Sequence, residues 1–362
     1  MRILPFTLAA LLALAPHPSW ALGQAQMGGA ASDFAIRDPA GIDEEQFVTI
    51  DGVEQWVTIR GRDRANPVVL VIGGLGVDGP GAVASPFLGA FQTWESLVTV
   101  VQWDQPGAGK TFSHAGEQLD PRLGVDLIAR DALALTDLLR TRFHKKKIVL
   151  LGVGFCSTIA AMLVREHPER YAAYLAAGQI ADPRIARESA ALRRLRQLAQ
   201  AAGDKASLAD LDEAGPHPFN DTPRDPAKVA AFLRASRRYP ARNPEHQIQD
   251  VVTAPHWGPA EALEIGKGMR ASEARFGPAW NATFDFQGLR GRYRTPVFVV
   301  QGDADIDAPL ELSRAWLDRV RAPEKALVVI PGAGGHALQT DPEPFVRVLR
   351  ERIVPWAARA ER

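Results

Sequence analysis

The sequence has a single cysteine. Cys156 is the only thiol in 362 residues, so the chain cannot form an intramolecular disulfide bond. A chain of this length can bury a large hydrophobic core, and hydrophobic residues make up 46% of it. We therefore expect a packed globular protein that is stabilised by its core and not by covalent cross-links.

An excess of charge of either sign is also absent. Forty-two basic residues balance 42 acidic ones, so the chain has no strong overall field to attract a polyanion. The composition therefore predicts neither a nucleic-acid-binding protein nor a protein of anionic membrane surfaces. Nothing in the sequence indicates an oligomeric state.

Long apolar runs are rare, and the longest one stands at the N-terminus. Arg2 is followed by an almost wholly apolar stretch from Ile3 to Ala15, and small residues flank Trp20. This order is typical of a secretory signal peptide, and the run is shorter than the ~20 residues that a membrane-spanning helix needs. We expect residues 1–25 to be a signal peptide of a secreted or periplasmic protein; a retained membrane anchor is the alternative.

The most informative stretch covers residues 147–168. Ile148 to Leu151 is an uninterrupted apolar run, typical of a strand buried on both faces, and apolar residues at helical spacing follow it. In many hydrolases the turn between such a strand and helix carries G-x-S-x-G, which presents a nucleophilic serine. Here the turn runs from Gly152 to Cys156, with Gly154 at the nucleophile position.

Strands alternate with helices along most of the chain. The patterns predict strands at 47–50, 55–59, 68–72, 99–102, 148–151, 174–177, 296–301 and 326–330, and helices at 123–143, 310–321 and 342–356. This alternation predicts an α/β fold with a mostly parallel central sheet flanked by helices. Residues 181–285 contain predicted helices at 187–202, 226–238 and 259–275, and indicate a helical cap inserted between core segments 26–180 and 286–362.

Two glycine-rich segments superficially match nucleotide-binding motifs. Residues 74–79 fit G-x-G-x-x-G, but Pro80 and Pro86 oppose the helix that this motif must open. Residues 109–111 resemble the end of a P-loop, but Asp104 occupies the position of its first glycine. The sequence therefore predicts no bound nucleotide cofactor and no metal.

Two further residues follow predicted strands in a characteristic order. Asp305 lies four residues after Gln301, and His336 lies six residues after Ile330. In α/β hydrolases the nucleophile, the acid and the histidine occur in this order, each on a loop after a strand. We expect Asp305 to orient the imidazole and His336 to act as the base; the alternative is that each is an ordinary loop residue.

Four segments together resemble the proline iminopeptidase family of α/β hydrolases. They are VVQWDQPGAGKTF at 100–112, LLGVGFCST at 150–158, QGDAD at 301–305 and PGAGGH at 331–336. The resemblance covers nearly all of the chain after the predicted signal peptide. It implies an α/β-hydrolase fold with an inserted helical cap, and a serine aminopeptidase that releases N-terminal residues without a cofactor. It also implies an oxyanion hole at the backbone of Gly73, Gly74, Leu75 and Phe155.

The chain departs from the family pattern where the chemistry would occur. The family's H-G-G-P-G is I-G-G-L-G at 72–76, its D-Q-R-G-A-G has Pro106 for arginine, and its serine is Gly154. Because glycine has no side chain, no acyl-enzyme can form there, and we expect a hydrolytically impaired relative. The alternatives are an active hydrolase that uses Cys156, Ser157 or a His336-activated water, an engineered loss of the serine, or a binding protein for a small peptide, amide or ester.

A peptidase of this kind needs a carboxylate to pair with the substrate's terminal ammonium group. The candidate carboxylates in the predicted cap are Asp212, Glu213, Glu261, Glu264 and Glu273, and Trp257 and Trp280 are candidates for an apolar pocket. Each carboxylate has the alternative of being a solvated helix charge, and each tryptophan that of packing in the core or cap.

Overall fold

The computed structural model describes residues 35–73, 88–219, 225–241, 266–272, 275 and 283–362. The strands are β1 (Ile42–Ile50), β2 (Val53–Gly61), β3 (Val68–Ile72), β4 (Thr99–Trp103), β5 (Ile148–Val153), β6 (Tyr171–Ala177), β7 (Gly291–Arg292), β8 (Val297–Gly302), β9 (Val320–Arg321) and β10 (Lys325–Ile330). The helices are α1 (Leu88–Phe91), α2 (Gly109–His114), α3 (Val125–Arg142), α4 (Cys156–Glu166), α5 (Arg184–Ala202), α6 (Lys205–Ala214), α7 (Pro226–Arg237), α8 (Leu310–Arg319), α9 (Ala337–Thr340), α10 (Pro342–Val348) and α11 (Val354–Glu361).

Eight of the strands form the central sheet in the order β1-β2-β4-β3-β5-β6-β8-β10. The pairs β1–β2 and β2–β4 are antiparallel, and all other neighbours are parallel. The predicted mostly parallel sheet is therefore confirmed. The two-residue strands β7 and β9 form a separate ribbon, which the sequence did not predict, and helix α8 consequently ends at Arg319, before the predicted residue 321.

The N-terminal hairpin turns at the predicted dipeptide. Ile50 pairs with Val53, and Asp51 and Gly52 between them have φ values of 50° and 82°. Positive φ at both turn residues is the type I′ geometry that favours Asp-Gly. Strands β1 and β2 are both longer than predicted. In β1, the acidic residues near its start hide the alternation of apolar and polar residues.

The core lies on both faces of the sheet. One layer packs α3, α4 and α8 against it through side chains such as Leu135, Ile159 and Trp316. The opposite layer packs the C-terminal helices against it through side chains such as Phe345 and Ile353. This double cover explains why β3, β5 and β6 are buried at every position. The carboxyl ends of the parallel strands are therefore the edge where a site can form.

The described part of the segment between β6 and β7 contains helices and connecting loops but no strand, and α5, α6 and α7 share a small core around Leu195, Leu211 and Phe232. Helix α6 was missed in the sequence, although Asp204 caps it by accepting a hydrogen bond from the Ser207 amide. Of the helix predicted at 259–275, the structure describes helical residues at 266–272 and at 275; the rest lies outside the described residues.

The C-terminal helix predicted at 342–356 is present and extends to Glu361. It is interrupted by one π-helical turn, Leu349–Ile353, just before Pro355. Proline lacks a backbone N–H, so a local change of helical pitch at this point is expected. In the described parts of the chain, no helix combines the length and hydropathy that crossing a membrane requires.

Candidate active site

The turn between β5 and α4 has the geometry of a nucleophile elbow. Only Gly154 and Phe155 separate the strand from the helix, and the Gly154 N–H donates to the carbonyl of Ala177 at 2.9 Å. Gly154 has φ +52°, in the left-handed region that favours glycine. A Cβ atom at this position would have no atom of the described residues within 4 Å. The chain thus makes the sharp strand-to-helix turn of the motif, and the residue at its tip, Gly154, has no side chain.

Gly152 lets the elbow helix approach the sheet. A Cβ atom here would lie 2.7 Å from the Cβ of Ala160 and 2.7 Å from the Cα of Ser157. Any larger residue would push α4 away from β5. The first glycine of the motif therefore keeps its packing role in this chain.

Cys156 is the first residue of α4 and is completely buried. Its thiol donates to Oε1 of Gln105 at 3.5 Å, and burial raises its pKa to about 12. Since the thiolate is the reactive form of cysteine, this thiol is inert at neutral pH. The geometry argues against the alternative in which Cys156 replaces the serine.

We predict that the thiol of Cys156 does not react with 5,5′-dithiobis(2-nitrobenzoic acid) in the native protein, because it is buried and protonated. The absorbance of the released thionitrobenzoate should show no native reaction and one equivalent after unfolding in urea. A Cys156→Ala, Arg237→Cys double variant, with its thiol on the exposed face of α7, should react while folded. Rapid stoichiometric labelling of the native wild type would contradict the burial of Cys156.

Ser157 is engaged beneath the elbow. Its hydroxyl donates to the Gly154 carbonyl at 2.6 Å and accepts from the Ile180 N–H at 2.8 Å. The side chain is fully buried and ties the elbow to the loop that follows β6. This hydroxyl therefore holds the turn together, which argues against Ser157 as a replacement nucleophile.

Asp305 lies in the loop after β8 and is 3% exposed. Its Oδ1 accepts hydrogen bonds from the N–H groups of Asp307 and Ala308, both at 2.9 Å, and its Oδ2 accepts one from Nε2 of Gln301 at 3.3 Å. Burial, together with the nearby Asp307 carboxylate, raises the pKa of Asp305 to about 7, against the effect of these N–H donors and of Arg187. The carboxyl group therefore changes its protonation state near neutral pH.

The loop that carries His336 is fastened to the Asp305 loop. The Ala304 N–H donates to the Ala333 carbonyl at 2.8 Å, and the Gly332 N–H donates to Oδ1 of Asp303 at 2.7 Å. At Gly335 a Cβ atom would lie 3.3 Å from Oδ1 of Asp305, so the residue before His336 packs on the carboxyl group. The structure thus brings the loops of Asp305 and His336 together.

His336 itself immediately precedes α9. Burial lowers its pKa, which favours the neutral imidazole that a general base requires. Within the described ranges, no hydrogen bond or ion pair joins the imidazole to Asp305. The arrangement places the acid and base loops side by side without the direct contact of a working triad.

The predicted oxyanion-hole positions are described in part. Gly73 follows β3 with φ +146°, and a Cβ atom there would lie 2.6 Å from the Cβ of Val153, the residue before the elbow. Phe155 follows the nucleophile position and precedes the first turn of α4. The structure therefore brings the segments of Gly73 and Phe155 together, while Gly74 and Leu75 lie outside the described residues.

The predicted cap carboxylates that the structure describes are solvated ion pairs. Asp212 pairs with Arg196 at 2.7 Å and Glu213 with Arg234 at 2.7 Å, and both acids are exposed. Glu261, Glu264, Glu273, Trp257 and Trp280 fall outside the described residues. Among the described residues, no three or more His, Cys, Asp or Glu side chains are placed to hold a metal ion.

Sequence reasoning missed a buried polar network behind the acid. Besides Asp305, Gln301 contacts the Gln179 N–H and the Ser313 hydroxyl, both of which donate to its Oε1, at 3.1 and 3.2 Å. Gln301 belongs to the QGDAD segment, but its position at a strand end gave no sign that its amide faces the acid. The network fixes the acid loop to the loop after β6.

Comparisons with known proteins find both sequence and structural relatives of the chain. No family model matches the chain. The "Probable aminopeptidase YbaC" of Bacillus subtilis is 23% identical over 283 residues, which are 77% of this chain and 86% of that protein. A proline iminopeptidase-related protein from Thermus thermophilus superposes with a TM-score of 0.59 at 20% identity, covering 88% of this chain and 98% of the other.

The proline iminopeptidase of Mycobacterium smegmatis gives a TM-score of 0.58 at 17% identity, with 88% of this chain and 99% of the other covered. At such identities a structural likeness establishes the fold and not the activity. Together with the mostly parallel sheet and its flanking helices, these likenesses show that the chain has the α/β-hydrolase fold.

Proposed function

We propose that this chain is an exported, hydrolytically impaired relative of the proline iminopeptidases, with a site for a small peptide, amide or ester. The observation that carries the proposal is Gly154. It occupies the elbow between β5 and α4 with φ +52°, at the position from which a nucleophile would attack. A glycine there offers no atom to form an acyl-enzyme, so the usual two-step reaction cannot begin.

The neighbouring side chains do not replace the missing serine. The thiol of Cys156 is buried with a pKa raised to about 12 by burial, and the hydroxyl of Ser157 is held by the Gly154 carbonyl. What is left is a neutral His336, which could activate a water molecule directly. Such a route lacks covalent catalysis, and we expect it to be slow.

Hydrolysis assays test this proposal. Wild type and His336→Ala should hydrolyse aminoacyl-4-nitroanilides and 4-nitrophenyl esters at similarly low rates, because the only step left to the imidazole is the slow activation of water. Calorimetric titration with the same arylamides would show whether the site binds them without turnover. A wild-type rate well above that of the folded His336→Ala variant would overturn the proposal of impairment.

Export is supported by the sequence of residues 1–25 alone, in which a basic residue precedes an apolar run and small residues flank Trp20. Mass spectrometry of protein from the periplasm or medium of the expressing cells should find a chain that lacks about its first 21 to 25 residues. An uncleaved chain confined to the cytoplasm would contradict this part of the proposal.

A further inference from the structure

Arg187 connects the first helix after β6 to the loop of the candidate acid. It lies in α5, is 4% exposed, and its Nη1 donates to the carbonyl oxygen of Asp307 at 2.9 Å. Burial lowers the pKa of Arg187, while the acidic groups facing it, Asp307, Glu188, Asp305 and Asp182, raise it. Burying a guanidinium lowers the stability of the fold unless acidic groups lie near it. Asp305, the candidate acid, is one of these acidic groups.

The carbonyl that Arg187 contacts belongs to the peptide group that holds Asp305. The Asp307 carbonyl and the Ala308 N–H are the two ends of one peptide unit, and that N–H donates to Oδ1 of Asp305 at 2.9 Å. A cation at the carbonyl end polarises the peptide and strengthens the hydrogen bond at the N–H end. The guanidinium, the peptide and the carboxylate thus form a continuous chain.

We propose that Arg187 is a positioning residue for Asp305, which fixes the acid through the Asp307–Ala308 peptide and couples it to helix α5. The inference rests on the role of Asp305 as the acid in the proposed function. The proposed effect of Arg187 is on the orientation and the charge of the Asp305 carboxylate.

The sign of the effect on Asp305 follows from the groups around it. Burial and the Asp307 carboxylate favour the neutral acid, whereas the two backbone N–H donors and Arg187 favour the carboxylate. Neutralising Arg187 removes a cation and weakens one of those donors. The pKa of Asp305 should then rise further above its ordinary value, and the carboxylate should exist only at higher pH.

The test follows the Asp305 carboxyl carbon by NMR in full-length protein labelled with 13Cγ-aspartate, with the resonance assigned through Asp305→Asn. In Arg187→Met the titration midpoint should move up by about one pH unit or more. Arg187→Lys should move it up by less, since lysine keeps the charge but not the planar set of donors. Arg193→Met is the matched control on the same helix, because Arg193 is exposed and paired with Glu311; its midpoint should equal that of the wild type.

A midpoint in folded Arg187→Met that is indistinguishable from the wild type would overturn the inference. If Arg187→Met does not fold, Arg187→Lys decides, with an upward shift supporting the inference and an unchanged midpoint overturning it. The readout needs no catalytic activity. An unchanged titration midpoint would therefore count against the role of Arg187 and not against the proposed function, which the hydrolysis assays test.

Discussion

Gly154→Ser is expected to convert the chain from a protein that ignores serine-directed phosphonates into one that they label stoichiometrically. The elbow already has φ +52°, and a Cβ atom there meets nothing within 4 Å among the described residues. The added hydroxyl would lie at the N-terminus of α4, at the same edge of the sheet as the loops of His336 and Asp305, because β5, β8 and β10 run parallel. Loss of a triad nucleophile in subtilisin lowers turnover by roughly a millionfold. Because no hydrogen bond joins Asp305 to His336 among the described residues, a restored serine should recover only part of this loss, and arylamide hydrolysis should rise by ~10³-fold.

Two controls make this result specific. Gly154→Ala has the same Cβ atom and the same unfavourable φ but no hydroxyl, and should show no labelling. Both variants should lose about 1 kcal/mol in the free energy of unfolding, because an L-residue in the left-handed region is strained. The Gly154→Ser, His336→Ala double variant should fold and lose hydrolysis. A folded Gly154→Ser that no phosphonate labels would mean that the site around the elbow is no longer competent.

Among substitutions that add one methyl group at the site, we expect Gly302→Ala to lower the free energy of unfolding the most. A Cβ atom at this position would lie 2.1 Å from the carbonyl oxygen of Ala333 and 2.7 Å from that of Gly334. These are backbone atoms, so no side-chain rotation can relieve the overlap. We expect the free energy of unfolding in urea to fall by ~3 kcal/mol or more, or the protein to fail to accumulate.

Gly302→Ala should also disturb the site, because the backbone that its Cβ atom would overlap, at Ala333 and Gly334, leads to His336. In the Gly154→Ser background, Gly302→Ala should therefore abolish phosphonate labelling even where the double variant folds. Gly116→Ala is the control: Gly116 lies in an exposed turn with φ +69° and no described atom within 4 Å of a Cβ. It should lose only about 1 kcal/mol from backbone strain. Equal stability of Gly302→Ala and wild type would contradict the packing of these two loops.

Much of the fold follows from local patterns in the sequence. Val68 to Ile72 was predicted residue for residue, because five apolar residues in a row between Asn-Pro and Gly-Gly are typical of a doubly covered strand. The turn at Asp51 was predicted because Asp-Gly tolerates positive φ. The two-residue ribbon of β7 and β9 could not be predicted, since so short a pairing depends on tertiary hydrogen bonds and leaves no periodicity.

The candidate site could likewise be predicted only in part. The positions of Asp305 and His336 after their strands followed from chain order, and the burial of Cys156 followed from the packing expected behind an elbow. The contacts of Gln301 and Arg187 did not follow, because each depends on which distant loop its side chain reaches. Helical periodicity placed Arg187 in a helix, but it carries no information on a carbonyl group across the fold.

The fastening of the acid loop has a consequence for how such a chain can change over generations. Asp305 satisfies two backbone N–H groups, and the loop around it is pinned to the one before His336. Replacing the side chain at position 154 by glycine removes no acceptor of these hydrogen bonds. Replacing Asp305 by an apolar residue would leave the N–H groups of Asp307 and Ala308 without an acceptor. Folding alone is therefore enough to preserve Asp305 and the loop around it, whether or not the site is catalytic.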